Sequence, residues 1–143
     1  MKNQRFQRTD AWIFLSINTT EDGTSLEDLI AKADYINHAI PSKDEIEGAV
    51  TRLSTAGLVR FENSKFILTD SGKEVYEYIH NGKDSTYIAL WGKLEKHLNK
   101  STFPFLEVDQ FKLNLSQFQI TYNIYNKRFL KTYRKLNSKD KDI

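Results

Sequence analysis

Residues 24–72 constrain the fold most, because their apolar spacing changes period in a fixed order. TSLEDLIAKADYINH and SKDEIEGAVTRLSTA each place apolar residues at helical intervals, and the tight Ala39-Ile40-Pro41 connection joins them. Gly57 then supplies the left-handed ending that a helix often needs before an extended segment. Val59, Phe61, Phe66 and Leu68 bracket a two-residue Asn63-Ser64 turn, which predicts a short hairpin, since Asn tolerates positive φ. Thr69-Asp70-Ser71-Gly72 opens a further helix. The order is therefore helix, helix, two-strand hairpin, helix.

The same periodicity sets the remaining elements. A first helix is expected from Asp10 to Ile17 or Asn18, with Asp10 as its cap; Trp12, Ile13, Phe14, Leu15 and Ile17 leave it little polar face and place it centrally. The next two run from about Ser25 to Asn37 and from Lys43 to about Ala56, the latter burying Ile46, Ala49, Val50 and Leu53. A fourth, Ser71 to His80, stops at Asn81-Gly82, and a fifth, from about Ser85 to Asn99, stacks Tyr87, Trp91, Leu94 and Leu98. Pro104 breaks any helix in residues 101–115, whose Phe103, Phe105, Leu106, Val108, Phe111 and Leu113 predict a packed loop with at most one helical turn. Between Gln117 and Leu136 a strand-like alternation competes with helical spacing, and length decides for a long helix. Thr24 with Glu27, Ser42 with Glu45, Ser71 with Glu74 and Ser116 with Gln119 fit the capping-box pattern, and Leu115 and Ile120 stand where a hydrophobic staple would.

At 143 residues and 39% hydrophobic, the chain suits one compact domain with an appended helical piece. It has no cysteine, which excludes disulfides, thiolate metal sites and Cys nucleophiles and fits a cytoplasmic location. The basic start followed by Ala11–Ile17 has too short an apolar run and no small-x-small cleavage site for a signal peptide. No stretch approaches the roughly 20 apolar residues of a membrane span, so no membrane partner is expected. The N-x-S/T triplets at Asn18, Asn99 and Asn114 are then expected to carry no glycan.

The net charge of +2 conceals a polarised chain. Residues 1–9 carry Lys2, Arg5 and Arg8 and no acid; residues 10–85 hold 7 basic and 14 acidic side chains; residues 86–143 hold 11 basic and 5 acidic. The layout expected from this is a basic arm over 1–9, the helix–hairpin module over 10–82, a helical extension over 83–137 that pairs two copies, and a frayed tail over 138–143. Gly82 to Asp84 is the expected seam.

Nothing in the sequence looks like catalytic machinery. His38, His80 and His97 are isolated and lack metal-ligand spacing, and none of the six glycines builds a phosphate cradle. No cofactor and no metal is expected. Asp44, Glu45 and Glu47 read first as negative charge favoured by the dipole at a helix N-terminus. Tyr122, Tyr125, Phe129 and Tyr133 lie at helical spacing, as core or dimer contacts would, with a basic strip of Lys127, Arg128, Lys131, Arg134 and Lys135 opposite.

The segment from Asp10 to Ile79 resembles the winged helix-turn-helix superfamily of bacterial transcription regulators. The tract AGLVRFENSKFILTDSGKEVYEYI is most similar to the wing and following helix of MarR- and PadR-type regulators, where a Gly-Leu ends the recognition helix and a Leu-Thr-x-x-Gly follows the wing. The resemblance implies a mainly α fold with a small two- or three-stranded wing, a winged helix-turn-helix plus C-terminal helices. It also implies a DNA-binding transcriptional regulator whose Lys43–Thr55 helix enters the major groove. The candidate DNA contacts are then Arg5, Arg8, Ser42, Lys43, Thr51, Arg52, Asn63 and Lys65. Homodimerisation would use Trp91, Leu94, Leu98, Tyr122, Tyr125 and Phe129.

The charge division opens a second reading. Affinity for a duplex comes largely from neutralising phosphates, which a module of net −7 does badly. The alternative is a winged-helix protein–protein interaction module that never touches DNA, with Asp44, Glu45 and Glu47 facing a basic protein partner. Both readings stay open on the sequence.

Overall fold

The computed structural model describes residues 5–82 and 86–140, with the side chains of 129, 130 and 132–140 outside the described part. Its order is α1 (Arg8–Leu15), α2 (Leu26–Asn37), α3 (Lys43–Thr55), β1 (Val59–Glu62), β2 (Lys65–Leu68), α4 (Asp70–His80), α5 (Tyr87–Lys100) and α6 (Leu115–Asp140). The fold is mainly α with a small two-stranded wing, as the apolar spacing requires.

The hairpin is antiparallel, with Val59 opposite Leu68 and Phe61 opposite Phe66. Asn63 and Ser64 both take positive φ, 52° and 61°, the conformation a two-residue hairpin needs to match strand twist. Thr24 adds an isolated bridge to Phe66, a rudiment of a third strand. Gly57, at φ 76°, turns the chain out of α3 and lets β1 begin two residues later.

The core forms around α1, whose residues Ala11 to Leu15 are all buried. The Trp12 indole donates to the Ala33 carbonyl of α2 at 2.9 Å, and the Trp91 indole of α5 donates to the Arg8 carbonyl at 2.7 Å. The two rings stack at 5.9 Å between centroids, worth about 1 kcal/mol beyond the area they bury. Leu90, Trp91, Leu94 and Leu98 therefore belong to the same hydrophobic core as α1–α3. Lys83 and Asp84 of the expected seam lie outside the described residues.

Only one expected cap falls where the pattern put it. Ser42 and Glu45 form the full capping box of α3. Elsewhere a neighbouring side chain takes the role. Ser25 caps α2, because Thr24 is committed to Phe66 through its backbone and accepts from the Asn18 amide through its hydroxyl. Thr69 caps α4, and its amide donates to the Leu58 carbonyl. The Asn114 side chain, not Ser116, accepts from the Gln117 amide at the start of α6. Asp10 sits three residues inside the α1 boundary, where its carboxylate returns to the amide of the capping residue Gln7.

α6 lies along α2 and continues to Asp140, past the end expected near Leu136. Among the described residues no helix is long and apolar enough to cross a membrane. Residues 102–114 contain neither helix nor strand. They form an extended strap across α3, which controls what α3 can meet.

Candidate functional site

α3 and the hairpin make the face that the sequence assigns to recognition. α3 buries Ile46, Ala49, Val50 and Leu53 inward, so Asp44, Glu47, Gly48, Thr51 and Thr55 point away from the core. The strap covers most of that outward stripe. The Leu106 amide donates to the Thr55 carbonyl at 2.8 Å, the Phe111 amide to the Thr51 hydroxyl at 2.9 Å, and the Leu113 amide to the Glu47 carboxylate at 2.6 Å. Strap numbers rise as α3 numbers fall, so the two segments run antiparallel.

The hairpin closes the other side. The Phe111 ring meets Phe61 and Phe66 at centroid distances of 5.0 and 5.6 Å, both edge-on. Phe66 is fully buried, whereas Phe61 keeps 43% of its surface exposed. Toward the other end, Pro104 and Leu106 pass over the glycine face at Gly57. The Phe103 ring rests edge-on against buried Phe6, 5.8 Å away.

Glu47 is the chemical centre of this face. The residue is 5% exposed, and its carboxylate accepts from Lys43 Nζ at 2.9 Å as well as from the Leu113 amide. Burial alone would push this carboxyl up. The Lys43 and Leu113 hydrogen bonds, with the positive charges of Lys43 and Lys112, outweigh burial and hold it below the usual carboxylate value. The sequence expected Glu47 on an exposed acidic patch with Asp44 and Glu45, and the strap removes it from solvent. Asp44 and Glu45 stay exposed, and Glu45 is engaged in the capping box.

The candidate DNA contacts are dispersed and largely occupied. Arg52 is bound to Asp10, a wholly buried carboxylate, with its Nε 2.9 Å from both carboxylate oxygens and Nη2 2.9 Å from Oδ1. Lys43 is paired with Glu47. The Thr51 hydroxyl donates to the Glu47 carbonyl at 2.8 Å besides accepting from the strap. Ser42 is exposed but spends its hydroxyl on the Glu45 amide. Asn63 is exposed at the hairpin tip and Lys65 is half-buried. Arg8 is the first residue of α1 rather than part of an arm, and its guanidinium lies 4.3 Å over the Trp91 ring. Arg5 is exposed, but Phe6 beside it is pinned to α5 by reciprocal bonds with the Asn99 side chain.

The candidate dimer contacts also land differently. Trp91, Leu94 and Leu98 are 5%, 0% and 0% exposed in the chain's own core, so they offer nothing to a second copy. Their helical stripe is amphipathic because α5 packs on α1. Tyr122 and Tyr125 are half-buried, and the Tyr125 hydroxyl donates to Asp34 of α2. The Phe129 side chain lies outside the described residues. Among the described residues, the large apolar side chains that α6 exposes are Leu115, Ile120 and Ile124.

No group of three or more His, Cys, Asp or Glu among the described residues could hold a metal ion. A cavity of about 320 Å³ opens between α1, α2, α4 and α5 beside Asp28, Lys32, Tyr76, His80 and Tyr87. Lys32 already lies over the Tyr87 ring, and His80 stacks on Tyr76 while bonding its carbonyl. Its polar groups therefore do not converge on a common point. Compared with known proteins, the chain matches no protein-family profile, no curated protein and no solved structure.

Proposed function

We propose that this chain is a winged-helix protein–protein interaction module, and that it does not read duplex DNA through α3. The observation that carries the reading is the set of atoms α3 turns outward: the Thr55 carbonyl, the Thr51 hydroxyl oxygen and the Glu47 carboxylate, all accepting hydrogen bonds from backbone amides. A phosphate backbone presents acceptors and needs donors opposite it. A polypeptide presents amide donors, which this face receives. Two cations of α3, Lys43 and Arg52, neutralise Glu47 and Asp10 within the chain.

A second reading, DNA binding, draws support from exposed Lys127 and Lys131 on α6 and exposed Arg5. Fluorescence anisotropy of a labelled mixed-sequence duplex, titrated with the full chain at low and moderate salt, separates the two. The interaction module leaves the anisotropy flat at both salt concentrations. Binding at low salt that collapses as salt rises would overturn it in favour of the duplex.

A further inference from the structure

The strap is the chain's own extended peptide, seated on the face just described. We propose that the groove between α3 and the hairpin is a docking site for an extended apolar peptide of a partner protein, and that residues 102–114 fill it in cis as a displaceable stand-in. The proposal rests on the interaction-module reading and names the partner's chemistry.

The seated segment defines what the groove accepts. Acceptors stand at Thr55, Thr51 and Glu47, every fourth residue of α3, and each takes a main-chain amide. Main-chain recognition of this kind gives affinity for an extended strand whatever its sequence, while a side-chain pocket adds selectivity. The pocket is the aromatic notch of Phe61 and Phe66, which holds the Phe111 ring. Leu113, two residues on, donates its amide to Glu47 and packs its side chain half-buried against the core. An aromatic residue followed two positions later by an apolar one is therefore the motif that fits.

The cis segment is held lightly for so apolar a stretch. Phe105, Leu106 and Val108 remain 75%, 45% and 41% exposed. The strap has no backbone ladder of its own, and its polar hold on α3 is three amide bonds, two of them to side chains. Both its ends stay tethered, to α5 and to α6, so it competes at high effective concentration but is not locked. A partner segment that makes the same three bonds and also covers Phe61 displaces it.

The test uses the full chain and a fluorescein-labelled peptide, TFPFLEVDQFKLN, copying residues 102–114. In the release variant Phe111→Ala/Leu113→Pro, the ring leaves the notch and the Leu113 amide no longer exists. Expected is peptide binding to the release variant, at least about tenfold tighter than to the wild type. Adding Glu47→Ala should weaken it by on the order of tenfold. A folded release variant that ignores the peptide, or binds it equally with Glu47→Ala, overturns the proposal. So does a release variant that elutes as a dimer, because the occupant would then be a second copy. Should the variant fail to fold, amide hydrogen exchange of the wild type decides. Saturating unlabelled peptide should speed exchange at Leu106 and Leu113, and unchanged exchange overturns the proposal. Failure with a flat duplex titration removes only the peptide groove; failure with salt-sensitive duplex binding removes the interaction-module reading as well.

Discussion

Arg52 Nε lies 2.9 Å from both oxygens of Asp10, a carboxylate with no exposed surface that also accepts the Gln7 amide. This clamp joins α3 to the central helix α1 across 42 residues of chain. Arg52 is therefore a poor probe of DNA contact, since replacing it strands a buried charge. Arg52→Met is expected to destabilise the fold by about 3 kcal/mol, the cost of leaving one partner of a buried pair uncompensated. The double variant Asp10→Asn/Arg52→Met should lose clearly less than the sum of the two single losses. Urea melts of all four proteins measure this, and strict additivity would show that the pair is not coupled.

Two glycines should respond to alanine with opposite signs. A Cβ on Gly72 would stand 2.2 Å from the Leu58 carbonyl oxygen, where the first turn of α4 presses on the end of the hairpin. Gly72→Ala should cost about 2 kcal/mol through overpacking of rigid backbone. Gly92 lies inside α5 and a Cβ there meets nothing within 4 Å. Gly92→Ala should stabilise by about 0.5–1 kcal/mol through helix propensity alone. Thermal melts that moved in the same direction for both would contradict the close approach at Leu58.

The secondary structure was legible because hydrophobic period and Gly57 are local signals. Cap positions slipped by one or two residues where polar side chains sit close together, as Thr69 and Ser71 do, and a long-range bond from Thr69 to Leu58 decided between them. The strap is legible as a packed loop from its apolar residues, but the face it covers left almost no trace in the sequence. Its contacts span 60 and 66 residues and use backbone amides, which every residue but proline has. Glu47 consequently read as a surface acid, although the side chains beside it on α3 gave no hint of what would cover it. Trp91, Leu94 and Leu98 were correctly read as one apolar stripe, but a stripe does not say whether its cover is the same chain or another.

Acid should loosen the strap where it meets Glu47. The Glu47 carboxyl titrates below its usual value of 4.5, because the Lys43 and Leu113 bonds and nearby positive charge outweigh burial. A carboxyl depressed in the folded state contributes stability that is present above that value and lost as pH falls through the folded one. The Leu113 amide resonance, followed by two-dimensional NMR, should therefore shift with a midpoint below 4.5. Glu47→Gln should flatten that shift while keeping an acceptor for the amide. A midpoint at or above 4.5 would mean that the Lys43 and Leu113 bonds and the nearby positive charge do not outweigh burial in solution.

At the other end of the pH range, the docking of α6 on α2 should fail late. Burial, the hydrogen bond to Asp34 and that residue's negative charge together push the Tyr125 phenol up to about 12. A group raised in the folded state contributes stability that is fully present below its usual value, here 10.0, and lost as pH rises through about 12. The Tyr125–Asp34 bond between the helices thus holds through neutral and mildly alkaline pH and gives way as the phenol ionises, while Arg128 of α6 still pairs with Glu27 of α2. Phenolate difference absorbance should show a late step near 12, and Tyr125→Phe should remove it. Loss of an ordinary step near 10.0 instead would place the Tyr125 hydroxyl in water, without its bond to Asp34.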